Sequence, residues 1–525
     1  MNIESAAAHL TELTKLTELT ELTELTIRQI VDLFAAGTLT AEKLTHAHLA
    51  RVAALNPKYN AIIFLHHPAL DDARAIDVRR ANGEALGPLA GIPIVVKDTM
   101  DMAGYPTTGG WALLSSKVGG VDLMPAIDSP VVRRMREAGC IILGKTNVPI
   151  LSATGTHANN SWAGPTLNAA AVTRMPGGSS AGTATAVATQ MAVVGLAEET
   201  GGSIQNPAAA QALVGIKPTF ALVPNVGVMP LAGSTRDVVG PIARTVHDAA
   251  LVLDVLAGYD AEDPKTVASV GKRPSGGYTS LLKRDALRGK RLGLYGPGWR
   301  NRRLSDETAA HYGRAQAEMV DRGAVMISDP FAGSGFEALA QVASGTEYYD
   351  ARGMECIPYD MEQYLRRMGP NAAISSWQAF SAVARLDDPF APGGVLPFMP
   401  SMAGFAEALA RPDTNSTVAA FFALRERYLA VFNRVMDAHA LDGLIFPQLR
   451  AELPFRESNE TLRETAVCEI NIAGLPGVTV PGGYYHSGSP FGLIFIGRQW
   501  DEAALLGMAY DYEQATCHRR TFVQG

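Results

Sequence analysis

The hydrophobic and polar positions change their period along the chain, and each period predicts a different element. Residues 11–26 repeat Leu-Thr-Glu every three positions, a period that drifts around a helix and forms no fixed apolar stripe. From Ile27 onward the apolar residues recur at helical spacing, and Thr40 is suited to cap a second helix. We therefore expect a low-complexity leader over residues 1–25 and a folded domain over residues 26–525.

Short apolar runs rich in β-branched residues predict the strands of a sheet. The first such run, Ile92–Val96, leads directly into Lys97. Further runs occupy residues 141–143, 291–295, 324–327, 444–446, 478–480 and 492–496. Helical stretches lie between them, including residues 305–321 and a run of small residues over 180–194. This alternation favours an α/β fold, which we interpret as a single large domain with a central mixed β-sheet surrounded by helices.

The stretch over residues 330–440 has a different pattern. Aromatic residues are frequent there, and proline and glycine interrupt the helical periodicity, as at residues 391–394. We interpret this stretch as a variable set of helices and loops that covers the substrate side of the sheet. Extra core and the wall of a substrate pocket are equally good explanations of its aromatic residues.

Composition narrows the class of protein. Hydrophobic residues make up 47% of the chain and charged residues 18%, so the chain can bury a large core. The net charge of −7 and the absence of a Lys/Arg run argue against nucleic acid or a charged membrane surface as a partner. No apolar run reaches the roughly 20 residues that span a bilayer, and no signal-peptide pattern opens the chain. The four cysteines lack the spacing of a zinc site or a disulfide framework. We expect a cytoplasmic protein.

Two clusters of glycine and serine are the strongest chemical signal. They are Gly177–Gly182 and Thr200–Ile204, with the small-residue helix between them. Glycine lets backbone N–H groups approach a reacting atom closely, and successive N–H groups form a concave anion site. Ser203 closes such a loop and is our candidate nucleophile. Ser180 also fits the pattern Gly-x-Ser-x-Gly, but that motif needs a preceding strand, which the sequence does not predict.

A nucleophilic serine needs a base, and none of the 11 histidines lies near these clusters in the sequence. Lys97 is a better candidate, because it ends an apolar strand where burial lowers the pKa of an amine. To be neutral near pH 7, its pKa must fall by about three units, a cost of about 4 kcal/mol. Asp98 follows directly, but adjacent strand residues face opposite ways, so we interpret it as a loop anchor.

At these positions the chain resembles the amidase signature family. The matching stretches are GGSSAG (177–182), GLAEETGGSIQNPA (195–208) and GIKPT (215–219), with further similarity at 91–98, 144–149, 164–168, 239–245, 471–483 and 490–497. The resemblance covers nearly the whole chain from about Thr26 onward. It implies a catalytic set in which Ser203 is acylated, Ser179 follows a cis peptide bond and relays the proton, and Lys97 is the final base. It also implies an oxyanion hole formed by the backbone N–H groups of Thr200, Gly201, Gly202 and Ser203.

The sequence departs from the family pattern in three places. Ala181 and Glu199 stand where the family usually has glycine and aspartate, and both are mild changes. Gln205 stands where the family usually has arginine, so a guanidinium and its ion pair are lost. The change at Gln205 puts the support of the oxyanion loop in doubt.

The resemblance implies hydrolysis of a small-molecule amide without a metal or organic cofactor. The aromatic residues over 330–440 favour an apolar or aryl amide, and aryl carbamates and esters share the same acyl-enzyme chemistry. Proteins of this class often dimerise, so a homodimer is one expectation, although no stretch of the sequence identifies an interface. The first alternative is the A subunit of a glutamine-dependent tRNA amidotransferase, which shares the signature. The second is a non-catalytic binding protein on the same scaffold.

Overall fold

The described part of the chain begins inside the predicted leader. The computed structural model describes residues 21–300, 302–346, 348–369 and 372–522. The first 20 residues of the leader lie outside the described residues. Residues 21–24 are helical, and the Glu24 carboxylate accepts hydrogen bonds from Gln190 and Arg519. The boundary at residue 25 stays a prediction.

An eleven-stranded mixed sheet forms the centre of the molecule, in the order β1-β3-β2-β4-β6-β5-β10-β11-β9-β7-β8. The strands are β1 (Ile62–Leu65), β2 (Pro93–Lys97), β3 (Ile141–Thr146), β4 (Val194–Glu199), β5 (Val214–Lys217), β6 (Val238–Ala243), β7 (Arg291–Leu294), β8 (Val325–Ile327), β9 (Gly443–Pro447), β10 (Gly477–Tyr484) and β11 (Pro490–Ile496). Strands β3, β2 and β4 run parallel, as do β8, β7 and β9, and the other neighbours are antiparallel.

Helices cover the sheet. In chain order they are α1 (Ile27–Ala35), α2 (Ala41–Tyr59), α3 (Ala69–Ala81), α4 (Pro130–Glu137), α5 (Ala181–Ala188), α6 (Gln205–Ala210), α7 (Val246–Leu256), α8 (Asp306–Asp321), α9 (Ile357–Arg367), α10 (Trp377–Ala384), α11 (Phe405–Ala410), α12 (Val418–Ala438), α13 (Val467–Ala473) and α14 (Glu502–Thr516). The prediction of an α/β domain with a central mixed sheet surrounded by helices is confirmed. Within the described ranges, no helix is long and apolar enough to cross a membrane.

The packing of the central strands determines where the site lies. Every residue of β2, β3 and β4 is buried, as expected for parallel strands covered on both faces. Strand β2 pairs in parallel with β4, with Val96 opposite Leu196. The carboxyl ends of parallel strands meet at one edge of the sheet, so Lys97 comes to lie beside the end of β4.

The helix predicted over residues 180–194 is shorter than expected. Helix α5 ends at Ala188, and Gln190 has a φ of 64°, which an α-helix does not accommodate. The chain then enters β4 at Val194. The α-helices of the 330–440 stretch are α9, α10, α11 and α12. Their place on the substrate side stays a prediction.

Candidate active site

Lys97 is fully buried, with no exposed surface. Its Nζ donates to Ser179 Oγ at 2.7 Å, to Glu198 Oε2 at 2.8 Å and to the Glu198 carbonyl oxygen at 3.1 Å. Burial lowers the pKa of Lys97 below its ordinary value, and the charge of Glu198 opposes that shift. The strand position therefore supplies the burial, while β4 supplies a counter-ion that the sequence analysis did not predict.

Ser179 lies just before α5 and contacts Lys97, the last residue of β2. The peptide bond between Gly178 and Ser179 is cis, as the resemblance implies. Ser179 is fully buried, and its hydroxyl accepts the hydrogen bond from Lys97. The next residue, Ser180, donates its backbone N–H to the Ser203 carbonyl oxygen at 3.3 Å. The two Gly/Ser clusters are thus joined to each other.

Ser203 lies in the loop between β4 and α6, and 4% of it is exposed. Its hydroxyl forms no hydrogen bond with any residue that the structure describes, so Lys97 and Ser179 are joined while Ser179 and Ser203 are not. Catalytic hydrogen bonds are often open in a free enzyme and close when substrate binds.

The glycines before Ser203 leave backbone donors free. Gly202 has a φ of 99°, in the region that favours glycine. Within the described chain, the N–H groups of Gly201, Gly202 and Ser203 donate no hydrogen bond. A Cβ on Gly201 would lie 2.9 Å from both the Cε2 atom and the hydroxyl oxygen of Tyr349. Three unpaired N–H groups close to a serine hydroxyl can hold a developing negative charge.

The Glu199 carboxylate anchors this loop by accepting hydrogen bonds from it. Its Oε2 accepts from the backbone N–H groups of Ile204 at 2.8 Å and Gln205 at 3.1 Å. Its Oε1 accepts from Asn471 Nδ2 at 2.8 Å and from the side-chain amide of Gln205. Two neutral amides thus donate to the carboxylate, where the family usually has an arginine.

The structure also places Asp98 away from the candidate site. Its carboxylate pairs with Lys145 at 3.0 Å and accepts a hydrogen bond from the Thr108 hydroxyl. It therefore fixes the loop that follows β2, in agreement with its interpretation as an anchor.

Four buried or partly buried residues near the loop were missed by sequence reasoning. Arg236 donates to the Thr200 carbonyl oxygen at 3.1 Å and to the Asp350 carbonyl oxygen at 2.7 Å. The Thr200 hydroxyl lies 3.1 Å from Glu198 Oε1 and 2.5 Å from Asp237 Oδ1. Tyr349 contacts Gly201 from the 330–440 stretch. Only Glu198 could have been found from the sequence. It is followed directly by Glu199 at the end of a strand, and consecutive strand residues point to opposite faces, so one of the two acids had to face the side of Lys97 and the other the opposite side.

In the parts of the chain that the structure describes, no three acidic, histidine or cysteine side chains cluster as metal ligands.

Together, the mixed sheet, the buried lysine–serine contact and the glycine-rich loop define a protein of the amidase signature class. Residues 43–506 match the amidase family. The A subunit of the glutamyl-tRNA(Gln) amidotransferase from Heliobacterium modesticaldum is 32% identical over 522 residues, covering 94% of this chain and 97% of the relative. The corresponding protein from Rippkaea orientalis is 29% identical over 493 residues, with 91% and 95% covered. The crystal structure of the peptide amidase from Stenotrophomonas maltophilia superposes with a TM-score of 0.78 at 31% identity, covering 95% of this chain and 98% of that one. The chain belongs to the amidase family.

Proposed function

We propose that this chain is an amidase that hydrolyses a carboxamide C–N bond through an acyl-enzyme on Ser203. The proposal is carried by the buried contact of 2.7 Å between Lys97 Nζ and Ser179 Oγ, beside the loop that presents Ser203. It offers a route for a proton from a serine hydroxyl to an amine whose pKa is lowered by burial.

The reaction follows from these positions. Neutral Lys97 takes a proton from Ser179 as Ser179 takes one from Ser203, and the Ser203 oxygen attacks the amide carbonyl. The resulting oxyanion is held by the N–H groups of Gly201, Gly202 and Ser203, with Thr200 at the start of the loop. Ser179 then protonates the leaving amine, the C–N bond breaks, and water releases the acid by the same relay.

We propose an apolar or aryl amide as the substrate, with aryl carbamates and esters as further possibilities of the same chemistry. Tyr349 supports this choice, because its ring lies against Gly201 and packs edge-on to Phe398 with the ring centroids 6.0 Å apart. Aromatic rings in this arrangement favour a flat, apolar partner.

A second candidate is an amidotransferase component that acts on glutamine inside a complex. It is favoured by the names of the curated relatives, each of which is about as similar to this chain as the peptide amidase. The two candidates differ in whether the chain alone turns over an amide.

The test uses the purified chain alone with benzoyl p-nitroanilide and, separately, with glutamine. We expect release of p-nitroaniline, loss of that activity in Ser203→Ala, and retention in Ser180→Ala, whose hydroxyl bonds to the Glu198 carbonyl oxygen at 3.3 Å. Glutamine hydrolysis without any anilide turnover would support the amidotransferase component instead. Equal activity in wild type and Ser203→Ala would contradict both candidates.

A further inference from the structure

Lys97 lies at one end of a buried chain of polar groups that continues away from Ser179. Glu198 Oε2 contacts Lys97 Nζ at 2.8 Å. The other oxygen, Glu198 Oε1, accepts from the Thr200 hydroxyl at 3.1 Å, and the same hydroxyl lies 2.5 Å from Asp237 Oδ1. Each of these four residues is at most 2% exposed. The chain therefore joins the candidate base to a second carboxylate through one hydroxyl group.

A single hydroxyl cannot serve two ionised carboxylates. Thr200 carries one hydrogen and can donate it to Glu198 or to Asp237, while the other carboxylate would face a lone pair. Two buried negative charges so close together also repel each other. The geometry therefore favours a state in which one of the two carboxyl groups holds a proton.

Asp237 has the better access to water. It lies in the wall of a cleft of about 1000 Å³, together with Ser234 and Asp360. Its other oxygen, Oδ2, accepts from the backbone N–H groups of Leu231 and Ala232, both at 3.0 Å. Burial raises the pKa of Asp237 to about 7, and the Glu198 charge adds to the shift. A proton can thus leave the cluster at Asp237 through this cleft.

The other charged groups around these four residues have interactions of their own. Glu199 faces the oxyanion loop, where four donors occupy its carboxylate. The Arg236 guanidinium donates to backbone carbonyls of Thr200 and Asp350. The charge of Asp360, on α9, acts on Asp237 across the cleft wall. Each of these groups has its own hydrogen bonds, so Glu198 is the acceptor in direct contact with Lys97.

We propose that Glu198 and Asp237, coupled through the Thr200 hydroxyl, form a proton-sharing pair that determines the pH at which Lys97 becomes a free base. When the pH rises, the O–H bond of Asp237 breaks and the proton passes to water in the cleft. Glu198, now beside an ionised carboxylate, takes a proton from Lys97: the N–H bond breaks and an O–H bond forms at Glu198 Oε2. Lys97 is left with a lone pair for Ser179. Both acids act through Lys97 and are therefore positioning residues, and the inference rests on the proposed function.

The test is the pH dependence of kcat/KM for anilide hydrolysis between pH 6 and 8.5. In wild type we expect a rise of at least about tenfold centred near pH 7, because a carboxyl group of that pKa must ionise first. Asp237→Asn should stay near the low value throughout, since Glu198 never faces a second negative charge. Glu198→Gln should flatten the rise, because the buried lysine loses the carboxylate that opposes the lowering of its pKa.

A pair of substitutions at Thr200 covers the case in which these variants do not fold. Thr200→Val keeps the backbone N–H but removes the bridging hydroxyl, so Asp237 loses a donor and the rise should move to higher pH by about one unit. Thr200→Ser keeps the bridging hydroxyl, so the midpoint of its rise should stay at the wild-type pH, whatever its absolute rate. Glu262→Gln is the matched charge control, because Glu262 lies in the same cleft and forms no hydrogen bond with Lys97, Glu198, Thr200 or Asp237.

The outcomes separate this inference from the proposed function. Profiles of Asp237→Asn, Glu198→Gln and Thr200→Val that coincide with wild type, in proteins with unchanged unfolding midpoints, would overturn the proton-sharing pair. Absence of any Ser203-dependent turnover in wild type would overturn the proposed function itself.

Discussion

Removing the carboxylate of Glu199 tests how the candidate oxyanion loop is held. In Glu199→Ala, three buried donors lose their acceptor: the backbone N–H groups of Ile204 and Gln205 and the Gln205 side-chain amide. Asn471 Nδ2 keeps its second acceptor, the Val467 carbonyl oxygen, at 2.8 Å. At about 1–3 kcal/mol for each unsatisfied donor, the free energy of unfolding should fall by roughly 3–9 kcal/mol. That loss is large beside the 5–15 kcal/mol typical of a whole protein.

Glu199→Gln is the milder variant. It keeps the size and one carbonyl oxygen but loses the charge, so we expect a loss of about 1.5–3 kcal/mol. With an unfolding entropy of about 2.1 cal/mol/K per residue over 525 residues, each kcal/mol lowers Tm by about 1 °C. Calorimetry should therefore give a Tm lower by roughly 1–3 °C for the glutamine variant and by roughly 3–8 °C for alanine.

Activity should fall together with stability, because the same bonds orient the loop. A displacement of the loop by about 1 Å can cost on the order of 100-fold in rate. Glu502→Gln is the matched control: its carboxylate is equally buried and accepts from the Thr219 backbone at 2.6 Å, far from the loop in the sequence. It should lower Tm and leave kcat/KM unchanged. Wild-type Tm and kcat/KM in Glu199→Ala would refute this account of the loop.

Two further predictions concern a buried histidine and the contact above the loop. His48 is fully buried, and its pKa is lowered to about 3 by burial and by the charge of Arg244. Its contribution to the free energy of unfolding is therefore complete above about pH 6.5 and declines as the pH falls towards 3, with a loss of about 2 kcal/mol at pH 5. In denaturant unfolding, His48→Leu should flatten this decline. An unchanged dependence of the free energy of unfolding on pH would contradict the prediction. Gly201→Ala should lower kcat/KM at least about tenfold because its Cβ meets the Tyr349 ring, and a loss that persists in full when Tyr349→Ala is added would show that the ring is not the cause.

Local signals in the sequence carried much of the fold. Thr40 accepts a hydrogen bond from Lys43 N as the cap of α2, and the apolar run before Lys97 is strand β2. The end of α5 was not predictable, because a run of small residues has no period to mark a boundary. Strand β6 was also missed, since it contains Gly240 and Pro241, residues that usually argue against a strand. A Cβ on Gly240 would lie 2.0 Å from the Ile216 carbonyl oxygen, so this strand requires glycine.

The candidate site also contains residues that the sequence predicted and residues that it did not. Lys97 and Ser203 were predicted from distinctive local patterns, and Ser179 from the resemblance to the amidase signature family. Asp237 and Tyr349 reach the loop from distant parts of the chain, and their contacts depend on pairings between strands and loops that one sequence does not specify. No role for Glu199 was predicted from the sequence, and the amides that donate to its carboxylate became clear only from the packing around α6 and α13.

The most direct test of the central claim is the position of the acyl group. Wild-type protein is acylated with a slow p-nitrophenyl carbamate, digested after glutamate and analysed by mass spectrometry. Cleavage after Glu137, Glu198, Glu199 and Glu262 places Ser179 and Ser180 in a peptide over residues 138–198 and Ser203 in one over 200–262. We predict that the carbamoyl mass lies on Ser203 in the second peptide and is absent from Ser203→Ala. An adduct in the first peptide, or one that persists in Ser203→Ala, would contradict the account.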